Sequence, residues 1–144
     1  MDIRTMGTWS HEAFGNDQAF DWAAEVKEST DFTVIEQAFD QVITSQDEDF
    51  IDADIGSVAH AAAEVLAHIL GQGTQDIDFI DGLSQWIDQL STQASVTLIQ
   101  KAIQALDILT HENSELDELW QESNDYADWT KNLEELKETL SSKL

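Results

Sequence analysis

The sequence predicts an all-α single domain, a bundle of about six helices with an aromatic lid segment at its N-terminus. Three observations carry the prediction. Proline is absent, and only six glycines occur in 144 residues, four of them between Asp54 and Leu83. So few chain-turning residues argue against many short strands. Apolar residues recur at helical spacing in one segment after another. Hydrophobic residues make up 42% of the chain, with five tryptophans and six phenylalanines. A chain of this length buries roughly 70% of its unfolded surface, enough for a real core.

The first helix is expected over Asp17 to Lys27. Asn16 or Asp17 is the residue to accept hydrogen bonds from its free amides, and a carboxylate there faces the positive end of the helix dipole. Trp9 and Phe14 precede the cap and are placed to fold back over the helix as a large hydrophobic staple. In the second helix, Phe32, Ile35, Phe39 and Val42 mark one face between about Asp31 and Thr44. Thr33 with Glu36 fits a capping box there, and Thr30 or Asp31 serves equally well as the N-cap. The third segment, Asp52 to Leu70, has Ile55, Ala59, Ala62, Leu66 and Ile69 on one face, widened by Val58, Val65 and further alanines. A helix that apolar belongs at the centre of a bundle, and Gly71 stops it.

Ile77, Ile80, Leu83, Trp86, Ile87 and Leu90 mark a fourth helix, beginning either there or only near Gly82. Val96, Ile99, Ala102, Ile103, Leu106 and Leu109 mark a fifth. Ser114-x-x-Asp117 is a capping box before Leu116, Leu119 and Trp120. Gln121 to Asp125 interrupts the periodicity, which Trp129, Leu133, Leu136 and Leu140 then resume. No internal repeat is present.

Charge is the least ordinary property. Thirty acidic residues stand against six basic ones, a formal net charge of -24. Between Glu28 and Gln100 there are fourteen aspartates and glutamates and no lysine or arginine. Solubility of a small domain needs a net charge of only about 2 to 8, and the surplus opposes compaction while attracting cationic surfaces. Cysteine is absent, which excludes disulfides, thiolate metal sites and a cysteine nucleophile. The N-terminal stretch has no apolar h-region, and no stretch reaches the length of a membrane span. A cytoplasmic location without membrane contact is the expectation.

The N-terminal motif Gly7-Thr8-Trp9, Phe14-x-Asn16-Asp17-x-Ala19-x-Asp21-Trp22 resembles the opening of the bacterial DUF4259 family. The likeness continues through Ala61-Ala62-Ala63-Glu64-Val65 and Ser114-Glu115-Leu116-x-Glu118-Leu119-Trp120-x-Glu122, then Trp129 and the leucine ladder. It covers nearly the whole chain. It departs at Ser10 and Glu12, where the family tends to have glycine. The resemblance implies structural roles for Trp9, Phe14, Asn16, Asp17, Asp21, Trp22, Glu64 and Trp120. It also implies that the domain begins at Met6, with residues 1 to 5 as an extension to a domain over 6–144. The family's function is itself unknown.

Candidate chemistry is sparse. His60, Glu64 and His68 follow one another at i,i+4 on the apolar third helix. The zinc-protease pattern is missing, and a satisfied structural role is expected, with Glu64 accepting hydrogen bonds from a neighbouring element. Counting from Asp52, the glycine position of a calcium loop holds Ser57 and its closing glutamate position holds Ala63, so that pattern fails. No nucleophile elbow, phosphate loop or dinucleotide fingerprint occurs. We therefore expect a protein that is not an enzyme, with no metal and no cofactor.

Three acidic clusters stand out: Asp47 to Asp54; Asp76, Asp78 and Asp81; and Glu112 to Asp128. The first two flank the central helix, either at its opposite ends or folded side by side. Lys131, Lys137 and Lys143 offset the third in part, through pairs such as Asp128 with Lys131 and Glu134 with Lys137. Asp47, Glu48, Asp49, Asp52, Asp54, Asp76, Asp78 and Asp81 are the expected partner-binding residues, with Phe50 or Phe79 as apolar anchors. The partner is expected to be a basic protein, most simply a bacterial toxin neutralised by an immunity protein. A nucleic-acid mimic that blocks a DNA- or RNA-binding protein is the rival. A small ligand-binding or hydrolase domain at Trp9/Asn16/Asp17 or His60/Glu64/His68 is the third reading. Direct nucleic-acid binding is disfavoured, because the chain lacks a basic stripe.

Overall fold

Seven helices occur among the described residues of the computed structural model, which describes 7–90 and 93–144: α1 (Asp17–Val26), α2 (Thr33–Ser45), α3 (Ala53–Ile69), α4 (Leu83–Gln89), α5 (Val96–Ile108), α6 (Glu115–Gln121) and α7 (Tyr126–Ser141). The expected start at Met6 and the extension before it lie outside those residues. No strand forms among the described residues; the extended pairings are two isolated bridges, Thr8 with Asn16 and Ile51 with Ser114.

α3 is the hub. Twelve of its seventeen residues are buried, so it is covered on every side, and each of the other helices packs against it. Alanine and glycine make this close approach feasible. A side chain at Gly56 would press on Leu109 and Leu116. The core around α3 draws Phe39 from α2, Leu106 from α5, Trp120 from α6, and Trp129, Leu133 and Leu136 from α7. No helix is long and apolar enough to cross a membrane among the described residues.

Three details depart from the sequence-based expectation. The Thr33/Glu36 capping box does not form, because Thr33 already lies inside α2. Asp31 Oδ1 instead accepts from the Thr33 amide at 2.9 Å. The interruption at 121–125 is a true break, which makes two helices where one interrupted helix was expected. Ser123 Oγ turns back to the Trp120 carbonyl, and Asp117, buried in α6, accepts from the Tyr126 hydroxyl at the start of α7. The expected Asp128–Lys131 pair is absent among the described residues; Lys137 does meet Glu134 at 2.7 Å and also Asp107 at 3.6 Å. α4 takes the later of its two expected starts, following Gly82, whose φ of 79° suits a residue without a side chain.

The N-terminal segment 7–16 is a compact loop. Trp9 N–H and Ser10 N–H both donate to the Gly15 carbonyl, and Asp17 N–H donates to Gly7. Asn16, of the two candidates, is the cap: its Oδ1 accepts from Ala19 N–H at 2.9 Å. Phe14 packs inward and is fully buried, as a staple would be. Trp9 does not; it stays 52% exposed on the outer side of α1.

Candidate functional site

Two kinds of site can be built from these elements: a buried polar network on α3, and an acidic surface on either side of it.

The network begins with Glu64, which has no solvent exposure. A buried carboxylate is tolerated only when its oxygens are satisfied. Glu64 accepts from both the amide and the hydroxyl of Thr74, and from His68 Nε2 at 3.2 Å. His68 Nε2 also faces the Gln75 carbonyl at 2.7 Å. Since both neighbours are acceptors, that nitrogen carries the proton. On the other side, Asn132 Nδ2 donates to Thr74 Oγ1 at 2.8 Å, and Asn132 Oδ1 lies 2.6 Å from His60 Nε2. Every bond from His60 through Asn132 and Thr74 therefore points toward the carboxylate. Such aligned chains strengthen one another.

Gly73 lets the loop come this close, because a side chain there would overlap His68 Nε2 and Glu64 Oε2. The three i,i+4 residues of the sequence thus share one network with a structural role, joining α3, the 71–75 loop and α7. Thr74 and Asn132 were missed from sequence. Asn132 left a signal, as a polar residue on the buried face of α7 between Trp129 and Leu133.

The charges follow the packing. Burial pushes the Glu64 carboxyl up, but the hydrogen bonds from His68 and Thr74 outweigh it and hold the group below its ordinary value. The bond to Glu64 raises His68, against partial burial. Burial lowers His60 to about 4, although Asn132 and Glu64 favour its charged form.

The signs differ between these groups. His68 contributes stability that is full below about pH 6.5 and fades as pH rises through its raised value. Glu64 contributes above its ordinary value and loses it as pH falls through the depressed one. His60 resists protonation when folded, so its contribution is lost between about pH 6.5 and pH 4, roughly 3 kcal/mol in all. Urea unfolding of wild type and His60→Gln, whose amide can still donate to Asn132, isolates this effect. The stability difference is expected to move in favour of the variant by roughly that amount on acidification. A difference that stays constant with pH rules it out.

Near the network the molecule offers little room. A hollow between Thr8, Asn16, His60, Trp120 and Trp129 encloses about 10 Å³, the space of about one water centre. A cleft of about 180 Å³ opens beyond it between His11, Glu12, Thr74, Asn132 and α7. Both are smaller than the roughly 300 Å³ of small-molecule pockets. No group of three or more His, Asp or Glu side chains able to hold a metal occurs among the described residues.

All eight sequence-predicted partner residues are exposed. None of them takes part in a side-chain ion pair among the described residues. Their bonds are local: Asp52 caps Asp54 N–H, Asp76 accepts from Asp78 N–H, and Asp78 accepts from Ser84. Asp47, Glu48 and Asp49 line an open hollow with Phe50. Asp54 is raised by partial burial and then by repulsion from Asp52 and Glu115. The two predicted segments sit at opposite ends of α3. Asp52 caps its first turn, and Gln75, next to Asp76, meets His68 sixteen residues later, about 24 Å along the axis.

Of the family-motif residues, Phe14, Asn16, Trp22, Glu64 and Trp120 are buried, while Trp9, Asp17 and Asp21 are exposed. A family model described as "Domain of unknown function (DUF4259)" matches residues 7–132. No curated protein and no solved structure matches the chain.

Proposed function

Given that the chain belongs to the DUF4259 family, whose name carries no activity, we propose that it is a small acidic binding protein that occludes a basic surface of a partner protein. The simplest form is an immunity protein that neutralises a bacterial toxin. One observation carries the reading. Eight exposed carboxylates form two segments whose side chains make no ion pair among the described residues, Lys27 reaching only the backbone carbonyl of Asp81, while the lysines at 101 and 137 pair elsewhere. Unpaired charges of one sign speed encounter with a complementary surface and set partner choice. Repulsion at Asp54 adds to this, since a cation placed there would relieve it. Two separate acidic ends suit local patches better than the continuous carboxylate row that a nucleic-acid mimic needs.

An oligolysine peptide is the direct probe. Wild type is expected to bind it at low salt and to lose it at high salt, as screening demands. Asp47→Asn/Glu48→Gln/Asp49→Asn should weaken binding about tenfold, at a few tenths of a kcal/mol to 1 kcal/mol for each exposed charge. Salt-independent binding, or a triple variant equal to wild type, would overturn the reading for this segment.

A further inference from the structure

Segment 75–82 runs alongside α1. Phe14 N–H donates to Gln75 Oε1 at one end, and Lys27 Nζ donates to the Asp81 carbonyl at the other. Between these ties Phe79 meets Phe20 of α1 at 5.7 Å between ring centroids, and Phe20 meets Trp9 at 5.6 Å. Three parts of the chain thus bring three rings together, yet the contact buries neither end of the row. Trp9 is 52% exposed and Phe79 54%. The other four tryptophans are at most 8% exposed, so leaving Trp9 outside is specific to this position.

Carboxylates neighbour these rings along the chain. Asp17 and Asp21 flank Phe20 on α1, and Asp76, Asp78 and Asp81 flank Phe79; all five are exposed. Aromatic faces carry negative potential and attract cations over the ring. With carboxylates beside them, they match a guanidinium better than an ammonium. Arginine is planar, stacks on rings and sheds its water more readily, whereas lysine is a compact and strongly hydrated charge. Tryptophan, phenylalanine and arginine are also enriched in interfaces, and tryptophan and arginine among the residues that carry most of the binding energy.

We propose that Trp9, Phe20 and Phe79, with Asp17, Asp21, Asp76, Asp78 and Asp81 around them, form a docking face for an arginine-bearing segment of a basic protein. The proposal rests on the reading above and adds to it an anchor and a preferred side chain. Charge decides the occupant. A second copy of a chain with net charge -24 is repelled, and so is an anionic lipid surface.

The test compares an oligoarginine with an oligolysine peptide of equal length by calorimetry, together with acrylamide quenching of tryptophan emission. Trp9 is the exposed indole, so quenching reports on this face. Wild type is expected to bind oligoarginine about fivefold more tightly than oligolysine, with Trp9 shielded from quencher. Trp9→Ala/Phe79→Ala should bring oligoarginine down to the oligolysine level, with the helical fold kept by far-UV circular dichroism, because each side chain is about half exposed and outside the core. Trp9→Leu keeps apolar bulk without a ring and should lose the same preference, which guards against a folding defect in the double variant. If wild type shows no arginine preference, or the variants keep it, the aromatic anchor is wrong while salt-sensitive oligolysine binding stands. If neither peptide binds at low salt, the basic-partner reading falls with it.

Discussion

Replacing Glu64 with alanine is expected to destabilise the fold by about 3–5 kcal/mol, the range for removing one partner of a buried charged pair. The reason is the direction of the bonds around it. Thr74 loses the acceptor for both its amide and its hydroxyl, and His68 loses the charge that favours its protonation. Asn132 and His60 then have no anion at the end of their chain. Glu64→Gln keeps an acceptor oxygen but sets an NH₂ group against donors, so it should cost about half as much. Urea unfolding measures both. Hydrogen exchange of the 71–75 amides adds a local readout and should quicken in the alanine variant. Stability within about 0.5 kcal/mol of wild type, the usual range for inconsequential surface changes, would show that Glu64 does not hold the network together.

Phe14→Ala should cost about 3–5 kcal/mol as well, the range for truncating a fully buried phenylalanine. Its effect should spread beyond the cavity. Segment 7–16 contains no helix and is held by Phe14, by buried Ala13 and by a few hydrogen bonds, including Phe14 N–H to Gln75 Oε1. Without the ring the loop loses its main apolar tie to the core. Trp9 should then leave Phe20 and become more readily quenched by acrylamide. Phe14→Leu fills most of the space and should lose less than half as much. An alanine variant that is destabilised but shows unchanged Trp9 quenching would mean that the segment is held by its hydrogen bonds alone.

The helices around α3 were legible because each buries one stripe against its neighbours, and α3 because it is apolar almost all round. The spacing of Ile35, Phe39 and Val42, or of Trp129, Leu133, Leu136 and Leu140, is the trace of that contact, and all seven are buried. Ends were less legible where several residues could cap: α2 offered Thr30, Asp31 and Thr33, and only the structure shows Asp31 Oδ1 accepting from the Thr33 amide. Glu64 could be read as a buried carboxylate accepting from a neighbouring element. Its distant partners could not, since Asn132 joins Thr74 across 58 positions and nothing local marks such a pairing. The acidic segments were plain from composition, but their separation depended on which way the chain leaves α3. Trp9 and Phe79 were each noticed alone. Phe20, which joins them, sits on α1 in a position that looks like ordinary amphipathic spacing.

The hub position of α3 has a consequence for biosynthesis. Its alanine-rich surface leaves the ribosome well before α5, α6 and α7, the helices that cover much of it. A nascent chain stalled in between presents a bare, adhesive rod, the kind of intermediate that invites aggregation. The same stretch of nascent chain is crowded with carboxylates and carries no lysine or arginine between Glu28 and Gln100. Mutual repulsion between neighbouring polysome products would keep those unfinished rods apart until the last helix arrives.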